Sequence, residues 1–223
     1  MAEIDLRSAM STLRAVRRLK SDPIPEAVLE RILEAASWAP TGGNLQPFRI
    51  VVIRDREKMK TLGTLYAKQW QAYAESHRAM MIEVPEAVRT AAEKTFAAGD
   101  YLAAHFEKTP VLLVFCFNPK QMAITDAKLD RISVVGGASI YPAVQNTLLA
   151  CRAEGLGCVL TTLLCQCENE VRELLEIPEP WGTAAAIPIG VPVRGGHGSI
   201  RRRPIGQLAF AESWGEAYQP PSS

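Results

Sequence analysis

The chain has 223 residues, 48% of them apolar and 22% charged, with a formal net charge of +1. That balance belongs to a soluble globule with one substantial core, and it excludes a disordered chain or one drawn to nucleic acid or an anionic membrane by a global field. The opening MAEIDLRSAMSTLRAVRR mixes acids and bases, and the longest clean apolar run, Val111 to Phe117, is seven residues against the ~20 of a membrane helix, so a cytoplasmic location without membrane contact is expected.

Leu6, Met10 and Leu13 recur at helical spacing and predict a short first helix running into Arg14, Arg17 and Arg18, which share a face if the helix continues through them and crowd its terminus if it ends there. Ser21 to Pro25 is a break, and Pro25 suits the first turn of a second helix. There Leu29, Ile32, Leu33 and Ala36 share a face, and the helix should stop before Pro40. Phe48 to Ile53 reads as a buried strand. Residues 57 to 108 are mostly helical in composition, with Pro85 and Gly99 as interruptions, and Val111 to Phe117 is the second strong strand. Ser139 to Glu154 is helical by the spacing of Ile140, Val144, Leu148 and Cys151, closed by Gly155. Gly157 to Thr162 predicts a third strand, and Val171, Leu174 and Leu175 mark a short helix. Ala184 to Gly190 predicts a fourth strand, in which Pro188 suggests an edge or a bulge. The last thirty or so residues, rich in Arg, Gly and Pro, read as an arm. Helices and strands alternate around what should be one central sheet.

Several chemistries lack their residues. There is no GxGxxG, no GxxxxGK[ST], no HExxH and no GxSxG. Five cysteines without an export signal predict reduced, mostly buried thiols, and Cys165-Gln-Cys167 beside three histidines does not make a metal site. No catalytic side chain stands out, which points to a cofactor.

Two arginine runs remain: Arg14, Arg17 and Arg18 near one end, Arg201-Arg202-Arg203 near the other. Guanidinium forks match phosphate oxygens, so the two runs brought together would hold a phosphate; read alone, each is equally a solvated surface run. The loop Pro40-Thr41-Gly42-Gly43-Asn44-Leu45-Gln46-Pro47 fixes its ends with prolines and permits close backbone approach at its glycines. Thr41, Asn44 and Gln46 supply hydrogen-bonding groups suited to a flat heterocycle, or the loop is a plain helix-to-strand connection.

RAVRRLKSDPIP, a helix ending AASWAP, then TGGNLQPFRIVVI, later EGLGCVLTTL, IPIGVP and RRRPIGQL together resemble the nitroreductase family of FMN-dependent oxidoreductases. The resemblance covers roughly residues 7 to 210 and leaves about 60 to 106 as the variable part. It implies an α+β fold, a central mixed or antiparallel sheet flanked by helices, in an intertwined homodimer with FMN at the interface. The chain would then be one domain over 1–223, with a helical cap near 60–106 and a C-terminal arm near 195–223. Arg14, Arg17 and Arg18 would lie at the FMN phosphate and ribityl chain, with Arg201, Arg202 and Arg203 closing over it. Ala15 stands where the family often has Ser, which removes one hydroxyl contact. Pro40, Thr41, Gly42, Asn44 and Gln46 would approach the flavin from the partner subunit, and Leu160, Thr161 and Thr162 would pass its ring. By the same likeness, NAD(P)H gives hydride to flavin N5 and a small organic molecule (a nitroaromatic, quinone or activated alkene) then takes it. Dehalogenation, other flavin chemistry on the same fold, or flavin storage without turnover are the alternatives. Tyr66, Trp70, Tyr73, Phe96, Tyr101 and Phe106 in the variable part are either a lid stacking on a planar acceptor or ordinary helix core.

Overall fold

A computed structural model describes residues 4–218. At its centre β2 (Val111–Phe117) pairs antiparallel with β1 (Phe48–Ile53) on one side and with β4 (Gly182–Gly190) on the other, and β3 (Gly157–Cys158) adds antiparallel to β4. The sheet is thus antiparallel in every ladder, and helices cover both faces. On one face Val111, Leu113 and Phe115 pack with α2 (Glu26–Ser37) and α5 (Tyr141–Ala153). On the other, Leu112, Val114 and Cys116 meet α3 (Arg56–Met80), α4 (Glu86–His105) and α6 (Glu168–Leu175). A strand covered on both faces reads as an unbroken apolar run, which is why VLLVFCF was so legible. Of the cysteines, Cys116, Cys151, Cys158 and Cys167 are buried and Cys165 is half-buried, and burial pushes the Cys116 thiol up to about 11.

Several sequence expectations need correction. First, β1 is an edge strand: Arg49 and Val52 are exposed and only Ile53 is buried, because β2 alone flanks it. Second, α1 (Leu6–Thr12) stops before the arginines. Leu13 turns extended, and the following residues are captured by the sheet, with the Val16 amide donating to Cys158 O (2.9 Å). Arg14, Arg17 and Arg18 therefore sit on an extended arm rather than a helix face. Tertiary pairing overrides the helical spacing. Third, α4 runs straight through Gly99, which is a packing contact: a Cβ there would lie 2.0 Å from the Trp70 ring. Pro25, too, sits just outside α2 at its N-cap.

The fourth concerns β3. The Thr161 and Ala186 backbones exchange hydrogen bonds (2.8 and 2.9 Å), in the same register that pairs Gly157 with Gly190. That register sets Val159 opposite Pro188, which has no N–H to give. The ladder opens there, the predicted 157–162 strand shrinks to two residues and an isolated bridge, and Leu160 is released, 38% exposed. Pro188 marks neither an edge nor a bulge; it is a gap within an interior strand.

Gly99→Ala should lower stability by about 1–3 kcal/mol, since the added methyl overpacks a ring already fixed by its indole hydrogen bond to Asp100 (2.8 Å). Urea unfolding would show this as a lower midpoint at unchanged slope; an unchanged midpoint would mean that the α3–α4 contact yields freely.

Candidate functional site

The site is built from two extended arms laid side by side. Leu19 bridges Pro192, the Lys20 amide donates to Val191 O (2.8 Å) and the Val193 amide donates to Arg18 O (3.0 Å). Farther along, the Gly198 amide donates to Thr12 O (2.9 Å), and the Arg14 guanidinium donates to Ser199 O through Nε (3.1 Å) and Nη2. His197 clasps the two. Its Nε2 lies 2.8 Å from Leu156 O and donates to it, which leaves Nδ1 to accept from the Arg14 amide (3.4 Å). Burial lowers the His197 pKa, the Arg152 and Arg14 charges lower it further, and the Leu156 carbonyl opposes them. The imidazole is held neutral.

This pairing draws Arg14, Arg17 and Arg18 to the same side as the arm that carries Arg194 and the exposed Arg201, Arg202 and Arg203. Among the described residues none of these guanidiniums is ion-paired to a carboxylate. Arg202 makes a local bond to Arg201 O (2.8 Å).

Arg17 also lines a cavity of about 190 Å³ with Tyr66, Trp70, Tyr73 and residues 159–163, including Leu160, Thr161 and Thr162. Tyr66 is 2% exposed and stacked on Phe106 at 4.5 Å. Burial raises its pKa, while the Thr161 side chain and the Arg17 charge act the other way. Trp70 is held by Asp100, whose second oxygen accepts from Arg78 (2.8 Å). Two further cavities adjoin. One, of about 530 Å³, shares Arg17 and adds Arg18, Tyr101 and Arg194. The other, of about 510 Å³, shares Thr162 and is apolar, with Phe117, Met122, Tyr141 and Cys165. The thiol of Cys165 and the hydroxyl of Tyr141 are both tied to backbone carbonyls, of Thr183 (3.3 Å) and Ala184 (3.2 Å).

The loop 40–46 lies on another wall. Thr41 O accepts from the Asn44 amide (3.0 Å), Thr41 Oγ1 from the Gln46 amide (3.1 Å), and the Gly42 amide donates to Ser139 Oγ (3.0 Å). Gly43, Asn44 and Gln46 all have positive φ, and the Gln46 amide group donates to Asn44 Oδ1 (3.2 Å). Pro40, Thr41 and Gly42 line a cavity of about 530 Å³ that shares Met122 and Gly136 with the apolar one at Thr162. Within one chain, then, Arg17 meets Leu160, Thr161 and Thr162, and Arg14 and Arg18 meet the second arm. Pro40, Thr41, Gly42, Asn44 and Gln46 do not reach the arginines: among the described residues no hydrogen bond joins the loop to either arm.

Arg194 and His197 escaped the sequence reading. Arg194 and His197 fall in VRGGHGS, where glycines erase periodicity and no motif surrounds the histidine; only the arm pairing reveals them. Among the described residues no helix is long and apolar enough to cross a membrane.

The antiparallel sheet between helical layers, with its arginine-lined arms, is the architecture of a known class, and the nitroreductase family model matches residues 11–191: the chain belongs to the nitroreductase family. Over 201 residues it is 29% identical to the NADH dehydrogenase of Thermus thermophilus, covering 89% of this chain and 92% of that one. Among solved structures, iodotyrosine deiodinase bound to FMN and 3-iodo-L-tyrosine is similar with a TM-score of 0.69 at 22% identity, covering 90% of this chain and 96% of that one. The NADPH:FMN oxidoreductase from Vibrio harveyi, complexed with NAD+, is similar with a TM-score of 0.66 at 20% identity, over 94% and 78%.

Because folding depresses the His197 pKa, the clasp contributes fully above the unfolded value of about 6.5 and is lost as pH falls through and below it. Hydrogen exchange at the Gly198 amide, corrected for its intrinsic pH dependence, should therefore accelerate between about pH 7 and pH 5, and His197→Gln should remove that dependence. Protection that persists unchanged at the lower pH would show that the neutral imidazole does not hold the arm.

Proposed function

We propose that this chain is an FMN-dependent oxidoreductase that draws reducing equivalents from NAD(P)H and delivers them to a small organic acceptor of the nitroaromatic, quinone or activated-alkene class. The carrying observation is the set of guanidiniums without carboxylate partners among the described residues, on two paired arms, opening at Arg17 into an aromatic-walled cavity that ends at Thr161 and Thr162. Such a set fits a phosphate joined to a flat ring system. In this reading Arg14, Arg18, Arg201, Arg202 and Arg203 hold the phosphate and ribityl end, while Arg17, Leu160, Thr161 and Thr162 face the ring. FMN, when bound, supplies hydride acceptance at N5 and its return to the acceptor.

The protein's own part is electrostatic. Arg17 places a fixed positive charge in a cavity walled by Tyr66 and Trp70, where the low dielectric strengthens its hold on developing negative charge. Tyr66, its pKa raised by burial, remains a protonated donor at neutral pH. No side chain is assigned as acid or base. Pro40, Thr41, Gly42, Asn44 and Gln46 complete the site from a second copy of the chain, a homodimer. Support comes from the loop's lying on a separate wall beside exposed Trp38 and Leu45. The chain works as one domain in the cytoplasm, with the α3–α4 pair as the lid that sets acceptor choice and residues from about 195 onward as the arm that closes over the phosphate.

The purified protein should show flavin absorption that bleaches on anaerobic NADH or NADPH and returns with a quinone or nitroaromatic. Bands that never bleach would favour storage or a different donor, and absence of flavin after reconstitution with FMN would sink the reading. Arg202→Ala removes an exposed guanidinium whose only side-chain bond among the described residues is local, so it should weaken FMN binding by about 1.5–3 kcal/mol without lowering Tm. Flavin fluorescence titration measures the first and thermal unfolding the second.

A further inference from the structure

Away from the arms, the central strands end in a cavity that the proposed cofactor residues touch only at Thr162. β2 stops at Phe117, paired with Gly182 at the start of β4, and the space of about 510 Å³ opens there beside the start of α5. Small-molecule pockets run roughly 300–1,000 Å³, so it is of ligand size. Two aromatic rings shape it, each seated on a glycine. A Cβ at Gly137 would lie 2.5 Å from the Tyr141 ring, and one at Gly182 would lie 2.9 Å from the Phe117 ring. Ile140, 1% exposed, and Met122 extend the apolar wall. The polar groups of the wall are already engaged. Tyr141 Oη donates to Ala184 O (3.2 Å), Cys165 Sγ to Thr183 O (3.3 Å) and Thr183 Oγ1 to Glu168 Oε1 (2.9 Å). Burial raises the Tyr141 pKa; at Cys165 burial does the same and the Glu168 charge adds to it, against the Thr183 hydrogen bond. Phenol and thiol therefore stay uncharged at neutral pH. Among the described residues the wall holds no charged side chain, and only the Thr162 hydroxyl is left without a side-chain hydrogen bond.

We infer that this cavity takes the body of the electron acceptor and selects an uncharged aromatic ring over an anionic one, an assignment that rests on the flavoenzyme reading and narrows its acceptor class. Thr162 belongs both to this wall and to the cavity that Arg17 enters, so a ring lodged here lies next to the place proposed for the flavin ring. Selection against charge follows from the wall. An anion entering would shed water and meet no cation, and Glu168, bonded to the Thr183 amide and hydroxyl, adds negative charge on that side. Burying an unpaired charge is costly, whereas a neutral ring gains from leaving water for Phe117, Tyr141 and Ile140. The Thr162 hydroxyl remains to donate to one quinone or nitro oxygen.

The test uses FMN-loaded protein and two rings of matched size in equilibrium dialysis: 1-naphthol, uncharged at neutral pH, and 1-naphthoate, anionic there. Wild type should bind 1-naphthol at least about tenfold more tightly than 1-naphthoate. Ala184→Leu enlarges a half-buried wall residue and should weaken 1-naphthol about tenfold, with FMN affinity within about twofold of wild type. Ile124→Lys sets a cation at the rim, where Ile124 is 37% exposed, and should bring 1-naphthoate to within about twofold of 1-naphthol at low salt. KM for 1,4-naphthoquinone and for its 2-sulfonate should follow the same order in all three proteins. Equal binding of the two rings to wild type, or 1-naphthol affinity unmoved by Ala184→Leu, would overturn the inference. So would KM values that ignore both substitutions, since the ring site would then not be the acceptor's. Loosened FMN in Ala184→Leu would give the cavity to the flavin. Failure of wild type to bind either ring, with a dimer weakened by Ala184→Leu in sedimentation, would give it to a second copy of the chain; each of these also overturns the inference. Thermal unfolding checks both variants, and Ile124→Lys, at an exposed position, decides the matter if Ala184→Leu does not fold. A protein that takes up no FMN overturns the flavoenzyme reading instead, which flavin absorption reveals before either ring is added.

Discussion

Everything distinctive about this molecule depends on a short stretch of backbone pairing between two arms that belong to neither helical layer. The Val16 amide reaches Cys158, Lys20 reaches Val191 and Val193 reaches Arg18. Each bond is worth about 1 kcal/mol net, so their energetic contribution is modest. Their geometric contribution is large, because they hold Leu19 against Pro192, 173 positions later in the chain. Val16, 5% exposed, anchors the first arm against Gly157, where any Cβ would collide with it. Arginines without carboxylate partners among the described residues repel one another, and backbone pairing indifferent to side-chain charge holds the arms together all the same.

The core was legible because it obeys simple patterns. VLLVFCF and FRIVVI coincide with β2 and β1 to the residue, and the apolar face of α2 lies where Leu29, Ile32 and Ala36 put it. Misreadings arose where long-range contacts overrule local ones. The spacing of Leu6, Met10 and Leu13 continues a helix on paper, yet the chain turns extended at Leu13 and is captured by the sheet at Val16. Gly99 reads as a helix breaker, but its neighbour across α3, Trp70, is invisible from the sequence. Composition could not separate a half-exposed edge such as β1 from a buried strand, since Phe48, Ile50 and Val51 are apolar either way.

The site was legible in pieces. Both arginine runs could be named; that the arms carrying them are paired followed only from their register, which also brought Arg194 beside Arg17 and Arg18. Leu160, Thr161 and Thr162 could be placed beside Arg17 only once the strand containing them was seen to open. The loop 40–46 has the turn chemistry expected of it, with Gly43, Asn44 and Gln46 at positive φ, yet its wall stands apart from the arms. A sequence lists ingredients in order; which of them share a volume is decided by pairing distances that no local window contains.

Pro188 illustrates how a site can be encoded by subtraction. It lines none of the cavities described above and sits fully inside the sheet, opposite Leu112. Its one relevant property is an N–H that it lacks, and that absence stops two strands from zipping past Val159. The backbone from Leu160 onward is thereby freed to turn its side chains toward the cavity that Arg17 enters. A search for functional positions guided by proximity to ligand would pass over this residue, although the opening it maintains is a precondition for anything to bind beside Thr161.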